Sequence, residues 1–291
     1  MIDLRALVER RQGFLFLPLV YRLAGRLEQM AWEELAEDPT SSTYALRSAQ
    51  KLFRLRAVVT HFRVGVEAEA CGADLGRDAD GEWERPLQLA EPGALDARVL
   101  ERPPLAPALE VARRLSDELR GAAATVGVLT GPRTLSGLFL AAQPAGFDQL
   151  YANLARAYAE RGVQLLLVVE DPRAGTAGFP EQRPSLTALF NVARYFRVPA
   201  VLLDHLAAGP TAGFALTLGG ACDRLLPLAA LEESAEGTHR WRHETAPILA
   251  TEWEVPPRLP AEQLAAWADA LADGITPLTL PSPPGGEEKA R

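Results

Sequence analysis

Arginines at helical spacing are the first residues in this sequence whose type suggests chemistry. Arg22 and Arg26 lie one helical turn apart, so a helix would carry both guanidinium groups on one face. Arginine binds carboxylates through a planar fork of donors and keeps its charge when desolvated. The alternative is a pair of ordinary surface arginines. Type and spacing alone favour the surface interpretation.

Acidic and histidine side chains near the ends of apolar runs form a second group of candidates. Glu170 and Asp171 follow the run VQLLLVV, where paired carboxylates could do acid–base work or hold a cation. Capping of the next helix or loop is an equally good interpretation. His61 ends a similar run, and His205 follows another. We take Glu170, Asp171, His61 and His205 as the candidate catalytic residues.

A metal site is a weaker expectation. His205 could join Asp204, Glu170 and Glu252 in an oxygen–nitrogen site, although a histidine at a strand end is more often a hydrogen-bonded structural residue. No metal is therefore assigned. Other possible metal ligands are no better placed: His239 and His243 share helical spacing in a polar stretch that is best interpreted as a solvated loop, and the two cysteines, Cys71 and Cys222, are isolated from each other.

The elements that must position these residues alternate between short apolar runs and longer amphipathic segments. This rhythm predicts parallel strands joined by helices, as in a (β/α)₈ barrel. Seven strands are predicted, at 14–20, 57–62, 124–130, 163–169, 199–203, 223–228 and 247–251. Helices are predicted at 65–71, 107–121, 147–161, 185–196 and 260–274, and residues 31–52 are helix-prone with a break at Pro39.

Two regions leave the barrel incompletely specified. A barrel of this type has eight strands, so one strand is missing or hidden in the polar stretch 231–246. The glycine- and proline-rich region 74–104 predicts either a β-hairpin excursion or a flap. The expected fold is thus α/β, a TIM-type barrel that is distorted or lacks one strand. It should span 1–274, followed by a disordered tail at 275–291.

Composition narrows the classes of partner and compartment. The chain of 291 residues is 48% hydrophobic and has a formal charge of −8, which makes nucleic acid an unfavourable partner. The apolar run Phe14–Val20 is too short to cross a membrane, and Tyr21 and Arg22 follow it in place of a cleavage site. We interpret the run as a buried strand. Together with the unpaired cysteines, these features predict a cytoplasmic protein.

Four segments, in order, resemble the uroporphyrinogen decarboxylase superfamily, which also contains corrinoid-dependent methyltransferases. They are PLVYRLAGRLEQMAWEELAEDP (18–39), AVVTHFRVGVEAEACGADLG (57–76), VGVLTGPRTLSGLF (126–139) and ILATEWEVPPRLPAEQL (248–264). The resemblance spans residues 14–273. It implies a distorted (β/α)₈ barrel, often a homodimer, with its site at the C-terminal mouth.

The resemblance changes the interpretation of the arginines. Arg22 and Arg26 match both arginines of the family's substrate-binding motif, which favours carboxylate binding over the surface interpretation. Arg63 stands where the family has an essential aspartate, and an arginine there would repel a cationic intermediate. Arg133 follows the Gly-Pro motif of the third strand. Arg22, Arg26, Arg63 and Arg133 are therefore the candidate substrate-binding residues.

Three functions follow from the resemblance. The first is a decarboxylase-like protein that binds a tetrapyrrole-related polycarboxylate and needs no cofactor. The second is a corrinoid-dependent methyltransferase with a corrinoid protein as partner; its zinc motif lacks the expected cysteine after His205. The third is a non-catalytic binding or regulatory relative. In each case the ligand is expected to be an anionic small molecule.

Overall fold

Strands and helices alternate along the chain, as the sequence predicts. The computed structural model describes residues 4, 7, 13–77, 83, 86–96, 98–140, 146–175, 186–219, 225–233, 235, 238–241 and 247–272, so the predicted tail lies outside the described residues. The strands with defined bounds are β1 (Leu15–Leu19), β2 (Ala57–Val59), β3 (Ala124–Thr130), β4 (Leu165–Val169), β5 (Ala200–Leu203), β6 (Leu216–Leu218), β7 (Leu225–Leu226) and β8 (Ile248–Glu254).

Helices follow most of these strands and cover the outside of the barrel. The α-helices with defined bounds are α1 (Arg22–Leu27), α2 (Trp32–Glu37), α3 (Pro39–Leu52), α4 (Val66–Ala70), α5 (Leu105–Glu118), α6 (Pro132–Ser136), α7 (Phe147–Glu160), α8 (Thr187–Phe196), α9 (Leu228–Leu231) and α10 (Ala261–Ala272). No helix in the described part of the chain is long and apolar enough to cross a membrane.

The strands form two parallel sheets with the strand order of a barrel. One sheet has the order β1-β8-β7 and the other β2-β3-β4-β5-β6. Strand β1 contacts β2, although no ladder joins the two among the described residues. The register between β1 and β8 shifts between Leu17 and Leu19, around Pro18, which has no amide hydrogen to give to a ladder. The predicted TIM-type α/β fold is confirmed, in a distorted form.

An eighth strand lies at Leu216–Leu218, and the described residues of 231–246 contain no strand. Strand β6 pairs with β5, and its three residues are all buried. The described residues of 231–246 form the end of α9 and a 3-10 turn at Thr238–Trp241. Gly219, with a φ of +102°, directly follows β6, and such a short strand has too few residues to show a periodicity of its own.

Local signals predicted the helix ends well. Pro39 begins α3, and the Asp38 carboxylate caps the helix by accepting from the amides of Thr40 at 3.0 Å and Ser41 at 3.2 Å. Helix α7 ends just before Gly162, whose φ is +83°. The last helix, predicted at 260–274, lies at Ala261–Ala272 and buries Leu264, Trp267, Ala268 and Leu271.

The described residues of the region 74–104 depart from the barrel pattern. They contain one antiparallel bridge, between Asp74 and Gln88, and 3-10 turns at Pro92–Ala94 and Val99–Glu101. Ala90 bridges to Phe139, so the excursion lies against the chain that follows α6.

Candidate functional site

All eight predicted site residues lie at the carboxyl end of the barrel strands. Arg22 follows β1 and Arg26 is one turn further along α1, whereas His61 and Arg63 follow β2. Arg133 follows β3, and the remaining three candidates follow β4 and β5: Glu170, Asp171 and His205. Barrels of this type place their chemistry at this end. The structure therefore places the candidates at the C-terminal mouth of the barrel, as expected. The hydrogen-bond and ion-pair partners of each side chain then determine its possible role.

Arg22 is paired with a carboxylate at the neighbouring strand end. Its amide lies 2.6 Å from Glu254 Oε1 and its Nε lies 2.5 Å from Oε2. Glu254 ends β8, which runs beside β1, and is 3% exposed. The pair brings together residues that are far apart in the chain. Their opposite charges compensate each other at the carboxyl ends of β1 and β8.

Arg26 is exposed, and its guanidinium meets the carbonyl of Leu259 at 3.5 Å. It borders a cleft of about 1250 Å³ between α1 and the chain that follows β8. We call this space the β8–β1 cleft. Its described lining residues are Arg22, Gly25, Arg26, Leu27, Gln29, Met30, Trp32, Leu35, Leu228, Trp253, Glu254, Pro256, Pro257, Arg258, Pro260, Ala261 and Glu262.

Arg63 belongs to a second charged cluster, behind one wall of the cleft. Its Nε lies 2.7 Å from Glu69 Oε2, and Arg77 Nε lies 2.8 Å from the other oxygen of that carboxylate. Burial raises the pKa of Glu69, but the two guanidinium groups outweigh it and hold the pKa below its ordinary value. Both arginines also lie over the ring of Trp32, at 5.6 and 6.0 Å.

The buried carboxylates after β4 are bound by backbone and side-chain donors. Glu170 accepts from the amides of Arg133 at 3.1 Å and Thr134 at 2.8 Å, and from the Thr134 hydroxyl at 2.7 Å. This is the helix-capping geometry at the start of α6. Asp171 accepts from the backbone amide and the guanidinium of Arg173, which also stacks at 3.9 Å over Trp83.

Arg133 and His205 also have partners within the fold. Arg133 Nη2 lies 3.1 Å from Asp204 Oδ1, which ties the loop after β3 to the loop after β5. The Nε2 atom of His205 lies 2.7 Å from the carbonyl oxygen of Glu252 in β8. That contact matches the structural interpretation of a histidine at a strand end.

His61 is buried at 2% exposure and does not line the β8–β1 cleft. Its ring is stacked with Tyr158 of α7 at 6.4 Å, and its Nδ1 lies 3.3 Å from the Thr60 hydroxyl. Burial, helped by Arg63 and Arg77, lowers the pKa of His61 to about 3. The imidazole is therefore neutral at physiological pH, so a role as proton donor would require a different environment.

The donors suggested for a metal ion do not fit one. Glu170 caps α6, His205 contacts a carbonyl, and Glu252 Oε1 accepts from the Leu228 amide at 2.7 Å. Among the described residues, no three histidine, cysteine or acidic side chains are grouped to hold a metal. Two residues considered for metal chemistry, Cys222 and His243, lie outside the described residues, and His239 lies in the 3-10 turn.

The sequence alone did not reveal the carboxylates that neutralise the candidate arginines. It offered no role for Glu254, Glu69 or Arg77. The sequence did contain one signal for Glu254, which is an acidic residue at the end of an apolar run. In a parallel sheet, such a residue lies beside the first residues after the neighbouring strand. The neighbour of β8 becomes known only when the barrel is assembled.

Comparison with protein-family models and with curated proteins found no match. Among solved structures, a methyltransferase from Methanosarcina mazei matches with a TM-score of 0.69 and 16% identity, over 93% of this chain and 97% of that one. A B12-independent methionine synthase from Shewanella sp. W3-18-1 matches with a TM-score of 0.48 and 13% identity, over 81% of this chain and 86% of that one. The first likeness shows a shared fold, and that fold is the barrel that the resemblance implied.

Proposed function

We propose that this protein binds a large, carboxylate-bearing ligand of the tetrapyrrole class in the β8–β1 cleft. The observation that carries the proposal is the cleft itself, at about 1250 Å³ with the exposed Arg26 and Arg258 in its lining. Drug-sized ligands occupy pockets of roughly 300–1,000 Å³, so this space suits a bigger molecule. The indoles of Trp32 and Trp253 also line it and offer flat surfaces to a macrocycle.

Arg26 is the residue that we expect to make the main contact with a carboxylate group of the ligand. It is exposed to the cleft, and its guanidinium contacts a backbone carbonyl oxygen at the long distance of 3.5 Å. A guanidinium in this position can bind a carboxylate through two parallel hydrogen bonds. Arg258 faces Glu232 at 4.0 Å, with both side chains largely in solvent, so that pair is weak and exchangeable.

Methyl transfer involving a corrinoid carrier is the second candidate function. One solved structure that shares this fold over nearly its full length is described as a methyltransferase. Decarboxylation is the less favoured chemistry because Arg63, paired with Glu69, stands where the family that the sequence resembles has an aspartate. The carboxylate that would stabilise a cationic intermediate is therefore absent from that position. Among the described residues, no three histidine, cysteine or acidic side chains are grouped to hold a metal ion, and the proposed function includes no metal-dependent step.

Binding of uroporphyrin, followed by quenching of tryptophan fluorescence and by calorimetry, tests the main proposal. We expect saturable binding that Arg26→Gln weakens roughly tenfold, the size expected for loss of a charge-assisted contact. Arg54→Gln is the matched control, because Arg54 is exposed, pairs with Asp269 at 3.5 Å and lies outside the cleft. Absence of binding, or equal losses in the two variants, would overturn the proposal.

Two activity assays separate the chemistries. Incubation with uroporphyrinogen should give no coproporphyrinogen if decarboxylation is absent. Incubation with methylcobalamin and a thiol should change the cobalamin absorption spectrum if the protein transfers methyl groups. Binding without either reaction would identify a non-catalytic relative.

A further inference from the structure

We infer that Glu254 limits the number of anionic ligand groups that the cleft accepts, because it occupies Arg22 as a permanent internal counter-ion. The inference rests on the proposed function, since it concerns how the same cleft selects its ligand. It divides the cleft into an end that binds anions, around Arg26 and Arg258, and an end at Arg22 that accepts an uncharged hydrogen-bonding group such as an amide.

The geometry of the pair supports this division. Glu254 uses both of its oxygens on Arg22, one on the backbone amide at 2.6 Å and one on Nε at 2.5 Å. The side chains of Glu254 and Arg22 are 3% and 10% exposed, so the charges interact in a poorly hydrated place where their attraction is strong. A ligand carboxylate that approached Arg22 would have to separate the buried Glu254 carboxylate from the Arg22 guanidinium, which is costly.

The other charged residues of the described lining are in contact with water. That lining contains three arginines and two glutamates, Glu254 and Glu262. Glu262 is exposed at the start of α10, and Arg26 and Arg258 are exposed as well. Charges in contact with water exchange partners easily. A ligand can therefore recruit Arg26 and Arg258 without breaking a buried pair.

Removal of the Glu254 charge tests the inference. We expect Glu254→Gln to bind uroporphyrin about tenfold more tightly than the unmodified protein, because Arg22 gains a ligand carboxylate as partner. Glu262→Gln is the matched control, since it removes one negative charge from the same wall and leaves the pair intact. It should change the affinity by less than about twofold, because exposed charges are screened.

A double variant distinguishes the effect of the Arg22–Glu254 pair on ligand binding from the effect of Arg22 alone. In Arg22→Gln/Glu254→Gln, two uncharged amides replace an ion pair whose net charge is also zero. The amide oxygen introduced at the end of β8 can still accept from the backbone amide that Glu254 binds in the unmodified protein. We expect uroporphyrin affinity within about twofold of the unmodified protein, because the screened charges around the pair are unchanged. A tenfold loss would mean that Arg22 itself binds the ligand anion, and the inference would be wrong.

A second probe makes the result independent of the proposed ligand. Inorganic sulfate should raise the Tm of Glu254→Gln more than that of the unmodified protein, of Glu262→Gln or of the double variant. If no variant binds uroporphyrin, the proposed function fails and the sulfate comparison alone decides the inference. Equal sulfate responses, or equal tightening by the two single variants, would overturn it. Should Glu254→Gln not fold, the double variant carries the test.

Discussion

The guanidinium of Arg133 lies 3.1 Å from the carboxylate of Asp204, and the two side chains are 13% and 2% exposed. The pair connects the loop after β3 to the loop after β5 over the end of the intervening strand β4. A position that the sequence suggests as an anion contact thus contains a buried ion pair that holds the mouth of the barrel together.

Removal of Arg133 should therefore destabilise the fold. Arg133→Met takes the guanidinium away from the buried Asp204 carboxylate, and breaking a buried pair costs about 3–5 kcal/mol of unfolding free energy. Urea denaturation measures the loss. The control is Arg47→Met, which removes an exposed pair with Glu118 at 2.7 Å and should cost under about 1 kcal/mol. Similar losses in the two variants would show that the Arg133 pair is not a structural link.

Glu67 should make stability fall as pH rises. Burial raises the pKa of Glu67 in spite of hydrogen bonds from the Thr130 amide and hydroxyl. A raised carboxyl pKa contributes stability below the unfolded value, about 4.3, and loses it as pH rises through the folded value. Glu67→Gln should remove this loss. The unfolding free energy of the variant should therefore rise relative to that of the unmodified protein as pH increases above about 4.

Glu69 provides the control of opposite sign. Its folded pKa is lowered, so its contribution is present above the unfolded value and is lost as pH falls. Glu69→Gln should therefore cost stability at neutral pH, and the cost should shrink toward acid. If both variants shifted the stability–pH curve in the same direction, the assigned environments of the two carboxylates would be wrong.

His61 should cost the protein stability in acid. Its folded pKa is lowered to about 3, below the unfolded value of about 6.5, so the unfolded chain takes up the proton first. Stability should decline as pH falls from about 6.5 toward 3. His61→Phe, which keeps a ring against Tyr158, should flatten that decline. His205→Gln is the comparison, and a larger flattening there would contradict the assignment.

Gly127 should tolerate no side chain. A Cβ at this position of β3 would lie 2.8 Å from the ring of Tyr158, which is fully buried and bonded through its hydroxyl to the Val128 carbonyl. Gly127→Ala should cost roughly 1–3 kcal/mol through overpacking, as measured by thermal or urea unfolding. Gly93→Ala, where a Cβ meets nothing within 4 Å, should be nearly neutral. Equal effects would mean that α7 can shift to make room.

Sequence patterns determined the elements whose signals are local. The apolar run 163–169 predicted β4, the break at Pro39 predicted the boundary at which α3 begins, and the predicted helix 147–161 matches α7. Each signal depends on a few consecutive residues and on backbone preferences that act at that distance. The order of these elements, with the resemblance, was enough to predict a barrel and to place the candidate residues at its C-terminal mouth.

Only the tertiary structure decided which charges meet. Arg22 is neutralised by Glu254 and Arg133 by Asp204, and both pairs exist because each sheet brings together the ends of strands that are distant in the chain. Strand β6 was hidden for a similar reason, since its three residues become a strand by pairing with β5. Helical and strand periodicities report which face of an element is buried, whereas an ion pair depends on the neighbour that the fold supplies. The sequence by itself therefore determined where the arginines lie along the chain. The assembled barrel decided that a buried carboxylate holds Arg22, whereas Arg26 faces the cleft with a backbone carbonyl as its contact.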